Sequence, residues 1–128
     1  MNTKQTIIIR KDLKMRRGKE IAQGSHASIA WLTNRIKQHL NGFSFEKDLS
    51  PEEQDWVNGS FAKVCLQVDS EHELMEIYHK AKIAGLVVSL ITDAGRTEFN
   101  GVPTVTCIGI GPDEAEKIDK ITGGLKLY

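Results

Sequence analysis

The chain has 128 residues, 40% of them hydrophobic and 27% charged, with a formal net charge of zero, which fits one ordinary globular domain spanning 1–128. No apolar run approaches the ~20 residues that a membrane helix needs, and the first residues lead into a strand rather than a signal-peptide core, so a complete cytoplasmic protein without a membrane partner is expected. The zero net charge hides an asymmetry: residues 1–40 carry nine Lys/Arg against two Asp/Glu, and residues 41–128 carry eight against fifteen.

Residues 6–10, Thr-Ile-Ile-Ile-Arg, are too continuously apolar for a half-exposed strand and predict a central strand buried on both faces. A basic loop follows over 12–17. A helix is expected over 18–40, with an apolar seam of Ala22, Ile29, Leu32, Ile36 and Leu40 at three- and four-residue steps. Gly24 costs up to ~1 kcal/mol against alanine inside a helix, which suggests that backbone or ligand comes close there.

Residues 41–60 are polar, with Ser50-Pro51-Glu52-Glu53 marking a short capped helix and Trp56 tacking the excursion to the body. A second strand is expected over 61–69. Ser70-Glu71-His72-Glu73 reads as a capping box, and the helix after it ends at Gly85. Residues 86–92 form a third apolar strand. A short Gly/Pro turn over 98–103 joins it to a fourth over 104–110, which makes the two an antiparallel hairpin. A last helix opens at Pro112 and closes at Gly123. The order β-α-β-α-β-β-α predicts an α/β domain, a three-layer α/β/α sandwich on a mixed four-stranded sheet. Cys65 and Cys107 lie in apolar runs without metal-ligand spacing and read as free buried thiols.

Two polar clusters stand where core would be expected. Asp93-Ala94-Gly95-Arg96-Thr97 directly follows the third strand, and strand ends in α/β sheets are where ligands sit. Lys19, Gln23 and His26 recur at i, i+4 and i+7 on the first helix, so they share a face. Lys19 sits in the first helical turn, against the dipole, and invites an anion. Seven cations crowd into 4–19, next to a helix start whose amides also favour anions. An anionic, phosphate-bearing partner follows from this. Parallel first and third strands lying side by side would bring the two clusters together. There is no phosphate loop, no Gly-x-Ser-x-Gly elbow and no His-Glu-x-x-His, so neither a covalent serine nor a metal is expected.

The stretches Lys11-Asp12-Leu13-Lys14-Met15, Gly18-Lys19, Ala22-Gln23, Ser25-His26-Ala27, Asp93-Ala94-Gly95-Arg96-Thr97, Gly109-Ile110-Gly111-Pro112 and Thr122-Gly123-Gly124-Leu125-Lys126-Leu127 together resemble the type 2, archaeal and eukaryotic, peptidyl-tRNA hydrolases. The resemblance covers nearly the whole chain in order. It implies an α/β domain, in many members a homodimer, that cleaves the ester joining a peptide to the 3′ end of tRNA without metal or organic cofactor. The family's catalytic positions fall by resemblance on Lys19, Asp93 and Thr97, leaving Lys14, Arg16, Arg17, Gln23, His26 and Arg96 as substrate contacts. Two departures stand out. Met15-Arg16-Arg17-Gly18-Lys19 replaces the family's usual Met-Gly-Lys-Gly-Lys and adds charge. Gly24 replaces a cysteine or valine and opens space. A non-catalytic RNA- or anion-binding module that kept the fold is the alternative, and a small-molecule enzyme using the same pocket is a third reading.

Overall fold

The computed structural model describes all 128 residues. Its strands are β1 (Thr3–Arg10), β2 (Lys63–Val68), β3 (Val88–Asp93), β4 (Thr104–Glu114) and β5 (Lys126–Leu127); its helices are α1 (Arg17–Gln38), α2 (Phe45–Asp48), α3 (Pro51–Asn58), α4 (Glu71–Ile83) and α5 (Ala115–Thr122). The sheet order is β3-β4-β1-β2-β5, so the four expected strands gain a fifth. β5 pairs antiparallel to β2 through Leu66 opposite Leu127. β1 is the central strand, parallel to β2 and antiparallel to β4. β3 and β4 form the expected antiparallel hairpin. β1 and β3 are therefore parallel, but β4 lies between them and they do not touch side by side.

The three layers follow from alternation along the strands. Ile8, Ile108 and Ile110 face one way and join Leu74, Ile77, Ala81 and Ile118 from α4 and α5. Ile7, Ile9 and Cys107 face the other way and pack with Ala27 of α1 and Met15. A third cluster, Trp31, Leu49 and Trp56, fastens the α2–α3 excursion to α1. Trp56 also donates its indole N–H to the Ala62 carbonyl at 2.8 Å. The Ser50 capping box forms in full, and Ser70 caps α4 through the Glu73 amide. No helix is long and apolar enough to cross a membrane.

Four expectations need correction. The α1 residues that bury are Gln23, Ala27 and Trp31, whereas Ile29, Ile36 and Leu40 are exposed. The helix meets the sheet through small residues and a bonded amide, which a count of apolar positions does not see. The close approach expected at Gly24 is found instead at Gly109. A Cβ at Gly24 would rest 3.9 Å from Ile7 and Ile9, ordinary contact, whereas one at Gly109 would lie 2.3 Å from the Ala27 carbonyl oxygen. β4 runs on to Glu114, so α5 begins at Ala115 and not at Pro112. Pro112 falls where the β1–β4 register slips between Lys4 and Thr6, and there its missing N–H interrupts no ladder. Of the two thiols Cys107 is buried and Cys65 exposed; burial pushes the Cys107 pKa up to about 11.

Candidate active site

Lys19 and Asp93 meet although 74 residues separate them. Lys19 Nζ donates to Asp93 Oδ1 at 2.7 Å and to Thr97 Oγ1 at 2.9 Å. Lys19 comes from the first turns of α1 and Asp93 from the last position of β3, so the pair sits at the carboxyl ends of the parallel strands β1 and β3. The anion that Lys19 was expected to attract is thus, within the molecule itself, the Asp93 carboxylate. Both side chains stay partly open to solvent, at 15% and 12%.

The loop after β3 is built around its glycine. Gly95 takes a φ of +82, and a Cβ there would lie 2.4 Å from the Val102 carbonyl oxygen. In this left-handed conformation its N–H turns back to donate to Asp93 Oδ2 at 2.8 Å. Each carboxylate oxygen therefore has a fixed donor. The Lys19 hydrogen bond is the main cause holding the Asp93 pKa below its ordinary value, with the Gly95 amide and the charge of His26 adding to it against the opposing effect of burial. Asp93 is ionised throughout the neutral range. Because Thr97 accepts from Lys19, its own hydroxyl proton is left to donate outward.

The basic loop is also sorted. Lys4 pairs with Asp119, Arg10 with Asp12, and Lys11 with Glu20. Lys14, Arg16 and Arg17 are exposed, and no carboxylate lies within ion-pair distance of them. Met15 between them is buried against Ile7, Ile9 and Ala27, so one apolar anchor pins the loop while its cations stay exposed, Arg17 on the far flank of α1. Arg96 and His26 are exposed as well. Gln23 is placed differently from the rest of the expected substrate contacts. It is buried at 3% exposure, and its amide is committed inside the protein, donating to Asp93 Oδ1 at 3.3 Å. The residue that sequence reasoning missed is Thr106, whose hydroxyl donates to Gln23 Oε1 at 2.6 Å; nothing in a run of strand residues marked it.

A groove of about 800 Å³ lies along the opposite flank of α1 and is lined by Ile7, Ile9, Arg17, Ile21, Gly24, Cys65 and Tyr128 among others. It contains none of Lys19, Asp93 and Thr97. Those three polar groups meet at the end of the sheet, and the chemistry is read from there because that is where ionised groups converge.

The chain matches the family model described as peptidyl-tRNA hydrolase PTH2 over residues 3–128. It is 45% identical over 124 residues to a protein of Methanothermobacter thermautotrophicus named peptidyl-tRNA hydrolase, covering 97% of this chain and 98% of the other. Proteins of the same name from Methanocaldococcus jannaschii, 43% identical over 125 residues with 97% and 98% covered, and from Nanoarchaeum equitans, 45% identical over 125 residues with 98% of each covered, are similar to it over the same span.

Proposed function

Because the chain belongs to the peptidyl-tRNA hydrolase PTH2 family, we propose that it hydrolyses the ester between a peptide, or an N-blocked aminoacyl group, and the 3′ end of tRNA, with Lys19, Asp93 and Thr97 as the reacting groups. The observation that carries the site assignment is the Lys19 ammonium bridging Asp93 and Thr97.

In this reading Asp93 takes a proton from the attacking water as general base. Its Oδ1 is held by Lys19 and Gln23 and its Oδ2 by Gly95, so Oδ2, with one donor, keeps acceptor capacity for a water. As water adds to the ester carbon, the carbonyl oxygen becomes an oxyanion, and Lys19 with the outward Thr97 hydroxyl supplies fixed donors for it. Collapse breaks the bond to the ribose oxygen, which leaves with the proton that Asp93 collected. Lys14, Arg16, Arg17 and Arg96 hold phosphates of the RNA end, contacts that position the substrate without reading its sequence. His26, exposed one turn beyond Gln23, lies at the edge of the same face. The reaction draws on these side chains and water alone. A cytoplasmic location, where peptidyl-tRNA is made, and the homodimer that the family resemblance implies belong to the same proposal.

The test offers the protein N-blocked aminoacyl-tRNA and, separately, a simple carboxylic ester. Release from tRNA alone is expected, and tRNA affinity should fall about 10²-fold or more between 50 and 200 mM salt if several phosphates are held. Binding without release would favour a module that kept the fold but not the chemistry. Turnover of the simple ester only, or a flat salt response, would overturn the reading.

A further inference from the structure

The β3–β4 ladder is regular from Val88 opposite Ile110 to Ile91 opposite Cys107, and then Thr92 faces Val105. One residue of β4 is left over, and that residue is Thr106. An extra residue in one strand is a β-bulge, which bends the strand and re-aims a side chain. Strict alternation from Ile108 and Ile110 would turn Thr106 toward α4 and α5. The bulge instead leaves Val105 on that side, against the cluster of Ile8 and Leu74, and sends the Thr106 hydroxyl to α1.

Thr106 is fully buried, and its hydroxyl donates to Gln23 Oε1 at 2.6 Å. That bond decides which way the Gln23 amide points. A carboxylate can only accept, so Gln23 must present its NH₂ to Asp93 Oδ1, where it stands at 3.3 Å. The carbonyl end then needs a donor, and Thr106 supplies it. The helix is held in place as well, since Cys107 Sγ donates to the Gln23 backbone carbonyl at 3.3 Å. The bulge itself is fastened from the other side, where Arg10 Nη1 donates to the Val105 carbonyl at 2.9 Å.

We propose that Thr106 is a positioning residue for the reaction: through Gln23 it fixes the rotamer of the Asp93 carboxylate, and the bulge in β4 exists at the site to aim it. The inference rests on the hydrolase reading above and deepens it. Thr106 touches no substrate. It acts by removing the freedom of Gln23 to turn its oxygen toward Asp93, an arrangement that would push the carboxylate off the line of the attacking water. Gln23 accordingly belongs to the support of the base and not to the surface that grips RNA.

The test replaces Thr106 by Val, nearly the same shape without the hydroxyl, and by Ser, which keeps it. T106V is expected to lower kcat for N-blocked aminoacyl-tRNA about tenfold with KM unchanged, and T106S to restore most of it. In the double variant with Gln23→Met the losses should not add, because both act through one amide. Should T106V not fold, Q23M alone carries the test with the same expected kcat loss at constant KM. An NMR titration of the Asp93 carboxyl reads the positioning whether or not the protein turns over the ester; it should shift upward in T106V and return in T106S. Full kcat in T106V or Q23M, a change confined to KM, additive losses, or T106S as impaired as T106V would each overturn the proposal. A wild-type protein inert toward the ester, with the Asp93 titration still shifted in T106V and restored in T106S, would end the hydrolase reading and leave the relay standing.

Discussion

Replacing Asp93 by Asn is expected to slow release from N-blocked aminoacyl-tRNA by about 10² to 10⁴, with tRNA affinity unchanged or slightly tighter. The amide keeps the size of the side chain and can still accept from Lys19 through its remaining oxygen, so the fold and the Thr97 contact should persist. What it loses is the ability to take a proton from water. The cations proposed to hold phosphates are untouched, and one negative charge near the proposed site of the RNA end is removed, hence the direction of the affinity change. Single-turnover rates with the variant at saturating concentration separate the two effects; an unchanged rate would remove Asp93 from the chemistry. The pH dependence of the wild type follows from the same contacts. The Lys19 hydrogen bond holds the Asp93 pKa below the ordinary carboxylate value, so the ionised base, and the stabilisation from its ion pair, are fully present above that value. Both are lost only as pH falls through the lower folded value. The acid limb of kcat/KM should lie below the ordinary carboxylate range, with no further loss between pH 5 and 7 from this group.

Gly109→Ala should be the most damaging small substitution in the sheet. The added carbon would lie 2.3 Å from the Ala27 carbonyl oxygen and 3.0 Å from its carbon. Both belong to helix backbone, which no side-chain rotation can move. α1 must lift from β4, and overpacking of this kind costs about 3 kcal/mol or more, a fall in Tm on the order of 10 °C for a domain of this size. Activity should fall beyond what the stability loss explains, because the same helix carries Lys19 and Gln23, and a small displacement separates them from Asp93. Gly24→Ala, one turn earlier on the same helix with 3.9 Å contacts, is the control, expected to be neutral or stabilising by up to ~1 kcal/mol. Equal melting of the Gly109 variant and wild type, by circular dichroism, would mean that helix and strand do not approach as described.

The parts of this site that could be read from the sequence are those with local chemistry. Gly95 next to an aspartate after an apolar strand announces a turn, and Lys19 in a first helical turn announces an anion. The charge bias of residues 1–40 separates in the structure into paired Lys4, Arg10 and Lys11 and outward Lys14, Arg16 and Arg17. What stayed hidden depends on register. The α1 seam was misread because Gln23 is buried through its bonds to Asp93 and Thr106, and because the closest helix–sheet contact uses glycine, which has no hydrophobicity to count. Two paired residues make β5, too short for any periodicity. The bulge at Thr106 is a slip between two strands, visible only when their partners are known.

β4 lies between β3 and β1 in the sheet, so within the sheet the site's two halves are joined only through it. Thr106 and the whole hydrogen-bonded partner of β3 belong to β4, near the end of the chain, while Lys19 is made near its start. A nascent chain lacking β4 can hold neither Asp93 nor Gln23 in place. Catalytic competence therefore requires β4 in place, because β4 is the strand that ties β3 to β1.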